Sequence, residues 1–256
     1  MSYPQDWRPP ADLLAGRVAF VTGASEGIGR CAARAFAAHG ATVVAVARTV
    51  ERLGTLYDEI VAAGHPEPVI QGVDLAGLTA ADCQQLADAM GREFGRVDLV
   101  LHNASLLGDR VPLDRYDPET WRRVMAVNLD ASFLLTRALL PWLEDAPAPR
   151  VLFTTSGAGL RPRAYWGAYA VSKAGGEALM RVLADENENI AKTAFASINP
   201  GGTRTAMRRR AVPGEEAALL PTPEDLMPLY LWLAGAATKA EINARTFDAR
   251  QELRIP

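Results

Sequence analysis

Tyr169 and Lys173 stand four positions apart in the stretch AYAVSK. On a helix, residues i and i+4 share a face, so the phenol and the ammonium converge on one point. A phenol is a weak acid with a pKa of ~10, and a nearby positive charge favours its ionised form. Such a pair can hand a proton to a reacting oxygen, provided the phenol is brought towards neutrality, a change of ~4 kcal/mol. The expectation is that Lys173 contributes that change in a partly dry site. Taken alone, the spacing is more often that of a solvated helix face. A second constellation, VTGASEGIGR at 21–30, follows an apolar run and opens a helical pattern. Gly23, Gly27 and Gly29 let the backbone turn sharply and approach a pyrophosphate, whose charge sits at the helix N-terminus. The spacing is G-x-x-x-G-x-G, and a ligand-free glycine turn is the plain alternative.

These residues need a scaffold. Short apolar runs at 17–22, 42–47, 67–73, 97–103, 150–155 and 193–199 read as strands. They are nearly continuous in apolar character, as expected where helices cover both faces of a parallel sheet. Helix starts lie between them: Thr79 as N-cap with Asp82 in the first turn, Asp117 followed by Pro118 and Glu119, and Thr222 followed by Pro223. The alternation predicts an α/β, doubly wound fold. Residues 1–11 read as a Pro-rich arm and 12–256 as one domain, with an irregular stretch at 201–221 long enough to be functional.

The 256 residues are 49% hydrophobic and 22% charged, with a net charge of −3, which offers no general attraction to nucleic acid or anionic lipid. No unbroken apolar run approaches ~18 residues, so no membrane span is expected. Cys31 and Cys83 are the two cysteines, both in helical patterns, and a reducing, cytoplasmic setting is expected. His39, His65 and His102 lack metal-ligand spacing, so no metal site is expected. His102, beside a strand end, is the one histidine of interest.

In order along the chain, TGASEGIG, VDL at 73–75, HNA at 102–104, VNL at 127–129, Ser156, YAVSK and NPGGTRT resemble the motifs of the short-chain dehydrogenase/reductase family. The resemblance runs from about Asp12 to Asp248. Stretches such as LHNA, NPGGTRTAMR and MPLYLWL resemble its bacterial YciK-type oxidoreductases in particular. The family implies a Rossmann-like parallel sheet of about seven strands in a single domain. It implies a catalytic group of Asn128, Ser156, Tyr169 and Lys173, which reduces a carbonyl or oxidises an alcohol. Ser156 would donate to the carbonyl oxygen, and Lys173 would also hold the nicotinamide ribose. Asn128, a poor helix former in mid-helix, would hold a water or relay a proton; a buried structural amide is its other reading.

The implied cofactor contacts are Gly23, Ser25, Gly27, Ile28 and Gly29 in the glycine loop, with Asp74 and Leu75 at the adenine. Asn103 and Ala104 follow the fourth strand, and Pro200, Gly201, Thr203 and Thr205 lie near the carboxamide and pyrophosphate. Ser105 and Ala244 stand where the family usually has glycine. NADP is expected over NAD, because Ala47 and Arg48 end the second strand where NAD users carry an acid. Arg48 can pair with a 2′-phosphate, although Glu26 in the glycine loop opposes it. A non-catalytic dinucleotide sensor or scaffold on the same fold is the alternative.

The substrate is expected to be largely apolar, lined by Leu106, Leu107, Leu160, Trp166 and Met207 under a lid at 201–221. Arg208, Arg209 and Arg210 are a solvated run or a grip for an anionic tail. Helices at 117–143 and 165–187, bearing Leu134, Leu135, Leu139, Leu179 and Leu183, suggest a homodimer or homotetramer.

Overall fold

A computed structural model describes residues 2–255. Seven strands alternate with helices: β1 Val18–Thr22, α1 Gly27–Ala38, β2 Thr42–Ala47, α2 Val50–Ala62, β3 Val69–Gly72, α3 Ala80–Phe94 and β4 Leu99–His102. The second half runs α4 Pro118–Met125, α5 Ala131–Glu144, β5 Arg150–Thr154, α6 Gly157–Leu160, α7 Gly167–Glu186 and β6 Ala194–Asn199. It closes with α8 Ala206–Ala211, α9 Met227–Leu231, α10 Lys239–Ile242, β7 Arg245–Asp248 and α11 Ala249–Leu253. The sheet order is β3-β2-β1-β4-β5-β6-β7, and every pairing is parallel. The order reverses between β1 and β4, where a crevice opens outside the carboxyl ends of the strands.

The period-two alternation of each strand divides the core into two layers. Ala19, Val21, Val43 and Ala45 face one layer with Phe36, Leu53, Tyr230 and Trp232. Val18, Phe20, Val44 and Val46 face the other with Leu135, Leu139, Met180 and Leu183. Both faces are therefore dry, which is why these strands read as unbroken apolar runs.

The helix starts are as their sequences predict. Thr79 and Asp82 form a reciprocal capping box on α3, and the Asp117 carboxylate accepts from Thr120 N at 2.7 Å with Pro118 in the first turn of α4. Thr222 and Asp225 cap each other in the same way, but they open a 3₁₀ turn at Glu224–Leu226, and α9 begins only after it.

Several expectations change. The helix expected at 117–143 is α4 and α5 joined by a π-helical turn, Ala126–Asp130, centred on Asn128. Residues 118–144 contain an 18-residue window of mean hydropathy 1.3, long and apolar enough to cross a membrane by length and composition, although no unbroken run in the sequence suggests it. Half of that window is buried in the fold, and Leu135, Leu139 and Leu143 spend their apolar surface on the sheet. Leu135, Leu139 and Leu183 are thus core residues and not part of an outer face; Phe133, Val171 and Val182 are the exposed apolar side chains of α5 and α7. β7 has the sequence RTFD and buries only Phe247 fully. As an edge strand with one dry position it carries too little apolar signal to be read from sequence.

The N-terminal arm packs onto the domain. Tyr3 is buried, its ring lies edge-on to Trp7 and Trp232, and its N–H donates to Glu252 Oε2 at 2.7 Å. The stretch at 201–221 is likewise built: it contains α8 and a 3₁₀ turn at Ala217–Leu219. The Arg204 guanidinium donates to the carbonyls of Ala217, Ala218 and Leu220, tying the flap to itself.

Candidate active site

The crevice at the strand-order reversal holds a cleft of about 1370 Å³, open mouth included, against about 280 Å³ for a second cavity behind it. Tyr169, Ser156 and Lys173 line the larger cleft. Their elements bring them there by different routes. Ser156 follows β5 and caps the short helix α6, its Oγ accepting from Ala158 N at 3.2 Å. Tyr169 and Lys173 lie one turn apart near the start of α7, both buried. Lys173 Nζ donates to Thr154 O at 2.7 Å and sits 5.8 Å from the Tyr169 ring centroid.

Burial is the largest influence on both groups. It pushes the Tyr169 phenol up, while the Ser156 hydroxyl and the positive charge of Arg208 pull it back. It pushes Lys173 down to about 8, against the opposing pull of Glu177. Lys173 Nζ is anchored on the Thr154 carbonyl and still lies 5.8 Å from the Tyr169 ring centroid, where its charge can favour the phenolate, and the Arg208 charge acts in the same direction.

Asn128 stands apart from this cluster. Its Oδ1 accepts from Leu106 N at 2.7 Å, and its Nδ2 donates to Leu106 O at 3.0 Å and Ser172 Oγ at 2.9 Å. It lines the small second cavity together with Lys173 and is absent from the main cleft. The arrangement is that of a satisfied buried amide which clamps the loop after β4 onto α7.

The glycine loop forms the other end of the cleft. Gly23, Ser25, Gly27 and Ile28 line it, and Gly23 and Gly27 adopt positive φ values of 68° and 55°. Gly29 is set back from the cleft, and its role is close packing: a Cβ there would fall 2.3 Å from Gly23 O. The α1 N-terminus has no side-chain cap, because Glu26 turns away to pair with Arg52 at 2.6 Å. Its N–H groups are thus left for a ligand.

Arg48, Asp74, Leu75, Asn103 and Ala104 also line the cleft. So do Pro200, Gly201, Thr203 and Thr205. Arg48 is exposed and makes no ion pair among the described residues. Asp74 caps the turn at Leu75–Gly77 and reaches Arg123 at 3.3 Å, so part of its carboxylate is already engaged. Ser105 has a buried hydroxyl without a hydrogen-bond partner among the described residues.

Leu106, Leu107, Trp166 and Met207 line the cleft beside Tyr169, while Leu160 is 43% exposed and lies elsewhere. His102 is buried under Phe153, bonded to Thr136 Oγ1 at 2.7 Å and pushed down to about 3 by burial, which makes it a neutral core residue. Burial raises Cys31 to about 12, so it is an inert thiol. No metal-binding group of His, Cys, Asp or Glu occurs among the described residues. Gly175 packs tightly, since a Cβ there would meet Leu129 Cδ2 at 2.8 Å, whereas Gly176 has open space.

Sequence reasoning missed the residues that brace the site. Asn199 Oδ1 accepts from Gly157 N and Gly201 N, both at 3.1 Å, and its amide donates to Asp248 Oδ2 at 2.9 Å. One side chain thereby joins the Ser156 turn, the turn after β6 and β7. Thr22 Oγ1 accepts from Asn103 N and Ala104 N at 3.0 and 3.1 Å. The only sequence signal was adjacency, with Thr22 before Gly23 and Asn199 before Pro200. Arg110 is the third: it stacks 4.1 Å over Trp166 and donates to the carbonyls of Tyr165 and Ala211, bridging the loops at the mouth.

A family model described as short chain dehydrogenase matches residues 17–216. The chain is 46% identical to the uncharacterized oxidoreductase YciK of Escherichia coli K12, over 95% of this chain and 96% of that protein. It is similar to a short chain dehydrogenase of Shigella flexneri solved in complex with NADP, at 46% identity and a TM-score of 0.91, over 94% of this chain and 100% of that one. A short chain dehydrogenase of Escherichia coli CFT073 solved with NADPH superposes equally well, at 47% identity and a TM-score of 0.91, over the same shares.

Proposed function

The chain belongs to the short-chain dehydrogenase/reductase family and is an oxidoreductase, and from that premise we propose that it interconverts a carbonyl and an alcohol with NADP(H), using Tyr169 as general acid and base. The observation that carries the reading is the buried Tyr169 phenol with the Ser156 hydroxyl beside it, at the inner end of a cleft whose outer end is a glycine cradle. A dinucleotide fits this cradle. Gly23 and Gly27 expose backbone, the uncapped start of α1 suits a pyrophosphate, and Arg48 stands unpaired where a 2′-phosphate would lie. Two similar structures hold NADP and NADPH, which supports the phosphorylated form.

When bound, the reduced nicotinamide supplies the hydride. The chain's own residues manage the oxygen and its proton. Ser156 donates to the carbonyl oxygen and stabilises the charge that develops there. Tyr169 transfers its phenolic proton to that oxygen, and the phenolate left behind is stabilised by Ser156 and Arg208. Lys173, anchored on Thr154 O, fixes the floor of the site. Leu106, Leu107, Trp166 and Met207 exclude water and select an apolar body. A sensor of dinucleotides would need no buried proton donor, which argues for chemistry.

A panel of aldehydes and ketones followed by NADPH absorbance tests the reading. The wild type turns over at least one class, and Tyr169→Phe loses turnover by roughly a thousandfold or more while keeping calorimetric NADPH binding. Full activity in Tyr169→Phe overturns the assignment.

A further inference from the structure

Arg208 is the one residue of the 208–210 run that turns inward. On α8, Met207, Arg208 and Ala211 line the cleft, while Arg209 and Arg210 face solvent. The helix is set by Thr205, whose Oγ1 accepts from Arg208 N at 3.1 Å. The Arg208 guanidinium lies against Gly202, where a Cβ would meet Cζ and Nη2 at 3.4 Å. Its side chain is 30% exposed and its charge reaches the Tyr169 phenol. A partly buried cation in a cleft that Leu106, Leu107, Trp166 and Met207 also line is costly unless paired. Here Glu215 is the partner, with Nε to Oε2 and Nη2 to Oε1 both at 2.5 Å. Among the described residues Nη1 makes no hydrogen bond, so the pairing leaves donors unspent.

Resting on the carbonyl-reductase reading of this same cleft, we propose that Arg208 is the anion subsite of the substrate pocket and that the substrate is an oxo acid. Its carbonyl meets Tyr169 and Ser156, its carboxylate meets the Arg208 guanidinium, and its apolar body lies on Trp166 and the leucines. Carbonyl and carboxylate belong to one substrate because Arg208, Tyr169 and Ser156 line the same cleft. Glu215 is the internal competitor. It holds the guanidinium in place and keeps its charge compensated until an anionic group arrives. A planar fork matches a carboxylate bidentately, which explains an arginine at this position where a lysine would supply charge alone. The rival account is a latch, in which the pair only fastens α8 to the turn after it.

The two accounts differ in sign. The probes are benzoylformate and its methyl ester, and the readout is the ratio of their kcat/KM values, in which intrinsic reactivity cancels between variants. Arg208→Gln lowers the acid-to-ester ratio by roughly 10- to 100-fold, as expected for losing hydrogen bonds to a charged group. Glu215→Gln raises it by about threefold, since the competing carboxylate is gone. A latch gives both variants the same direction and leaves the ratio unchanged, and that result overturns the proposal. Calorimetry with NADPH separates the cofactor from the substrate: a Kd unchanged in Arg208→Gln supports the subsite, and a Kd weakened tenfold or more assigns Arg208 to the cofactor and overturns it. An ester reduced at equal ratio in all variants sinks the anion subsite alone. A wild type inert towards every carbonyl offered sinks the reductase reading itself.

Discussion

Lys173 and Arg48 carry the most accessible residue-scale consequences. Burial holds Lys173 at about 8, and Glu177 is the group that keeps it from falling further. Glu177 Oε2 also accepts from Thr246 at 2.7 Å, a bond that glutamine can keep through its carbonyl. The lysine is charged below about 8 and neutral above it, and its charge 5.8 Å from the Tyr169 ring centroid favours the phenolate, so kcat/KM is expected to fall as pH rises through that value. In Glu177→Gln the charged form loses its support, and the falling limb moves to lower pH. A pH profile of kcat/KM reads this directly, because it reports groups of the free enzyme; an unmoved limb refutes the role given to Glu177. At the cofactor end, Glu26 is the carboxylate that would oppose NADP, and it is held by Arg52 at 2.6 Å in an exposed pair. That leaves Arg48 to decide. Arg48→Asp is expected to reverse the preference from NADPH to NADH, checked by the ratio of the two dissociation constants. A wild type that binds NADH more tightly removes the argument.

At the scale of elements, position 244, where the family resemblance implies glycine and this chain has alanine, matters through backbone conformation. Ala244, just before β7, has φ of 60°, in the left-handed region that Cβ disfavours. Its N–H donates to Phe195 O at 2.9 Å, so the strained conformation is held by the ladder of β6. Ala244→Gly is expected to stabilise the protein by about 1 kcal/mol and raise Tm by about 2–4 °C in thermal unfolding. A lower Tm would show that the alanine methyl is worth more in packing than the strain costs. The π turn at 126–130 belongs to the same scale. VNL could be read as a motif, but the turn that places Asn128 depends on its bonds to Leu106 and Ser172, 22 and 44 residues away.

For the whole molecule, the exposed apolar side chains of α5 and α7 set the expectation of self-association. Val171 and Val182 are eleven residues apart on α7, three helical turns, and so share one face; they are 45% and 53% exposed, with Phe133 46% exposed on α5. Unpartnered apolar faces of this kind mark contact surfaces. We propose that two copies pair through this face. Val171→Glu combined with Val182→Glu is expected to convert a dimer or tetramer to monomer in light scattering, with far-UV circular dichroism unchanged. A monomeric wild type at micromolar concentration refutes it.

The sequence by itself determined six of the seven strands, the caps of α3 and α4, the glycine cradle and the Tyr169–Lys173 pair. Each is encoded within a few residues: apolar runs need only two dry faces, caps need a side chain three positions back, and i to i+4 is fixed by helical pitch. Tertiary structure decided which charge faces which group. It anchored Lys173 on Thr154 O, turned one arginine of three into the cleft that holds Tyr169, sent Glu26 to Arg52 and buried Leu135, Leu139 and Leu183, three of the five leucines expected at a surface. It also assigned Asn199 and Thr22 their bracing bonds and docked the N-terminal arm. Those outcomes join positions tens to hundreds of residues apart, through interactions whose strength depends on burial and distance. Local sequence records neither.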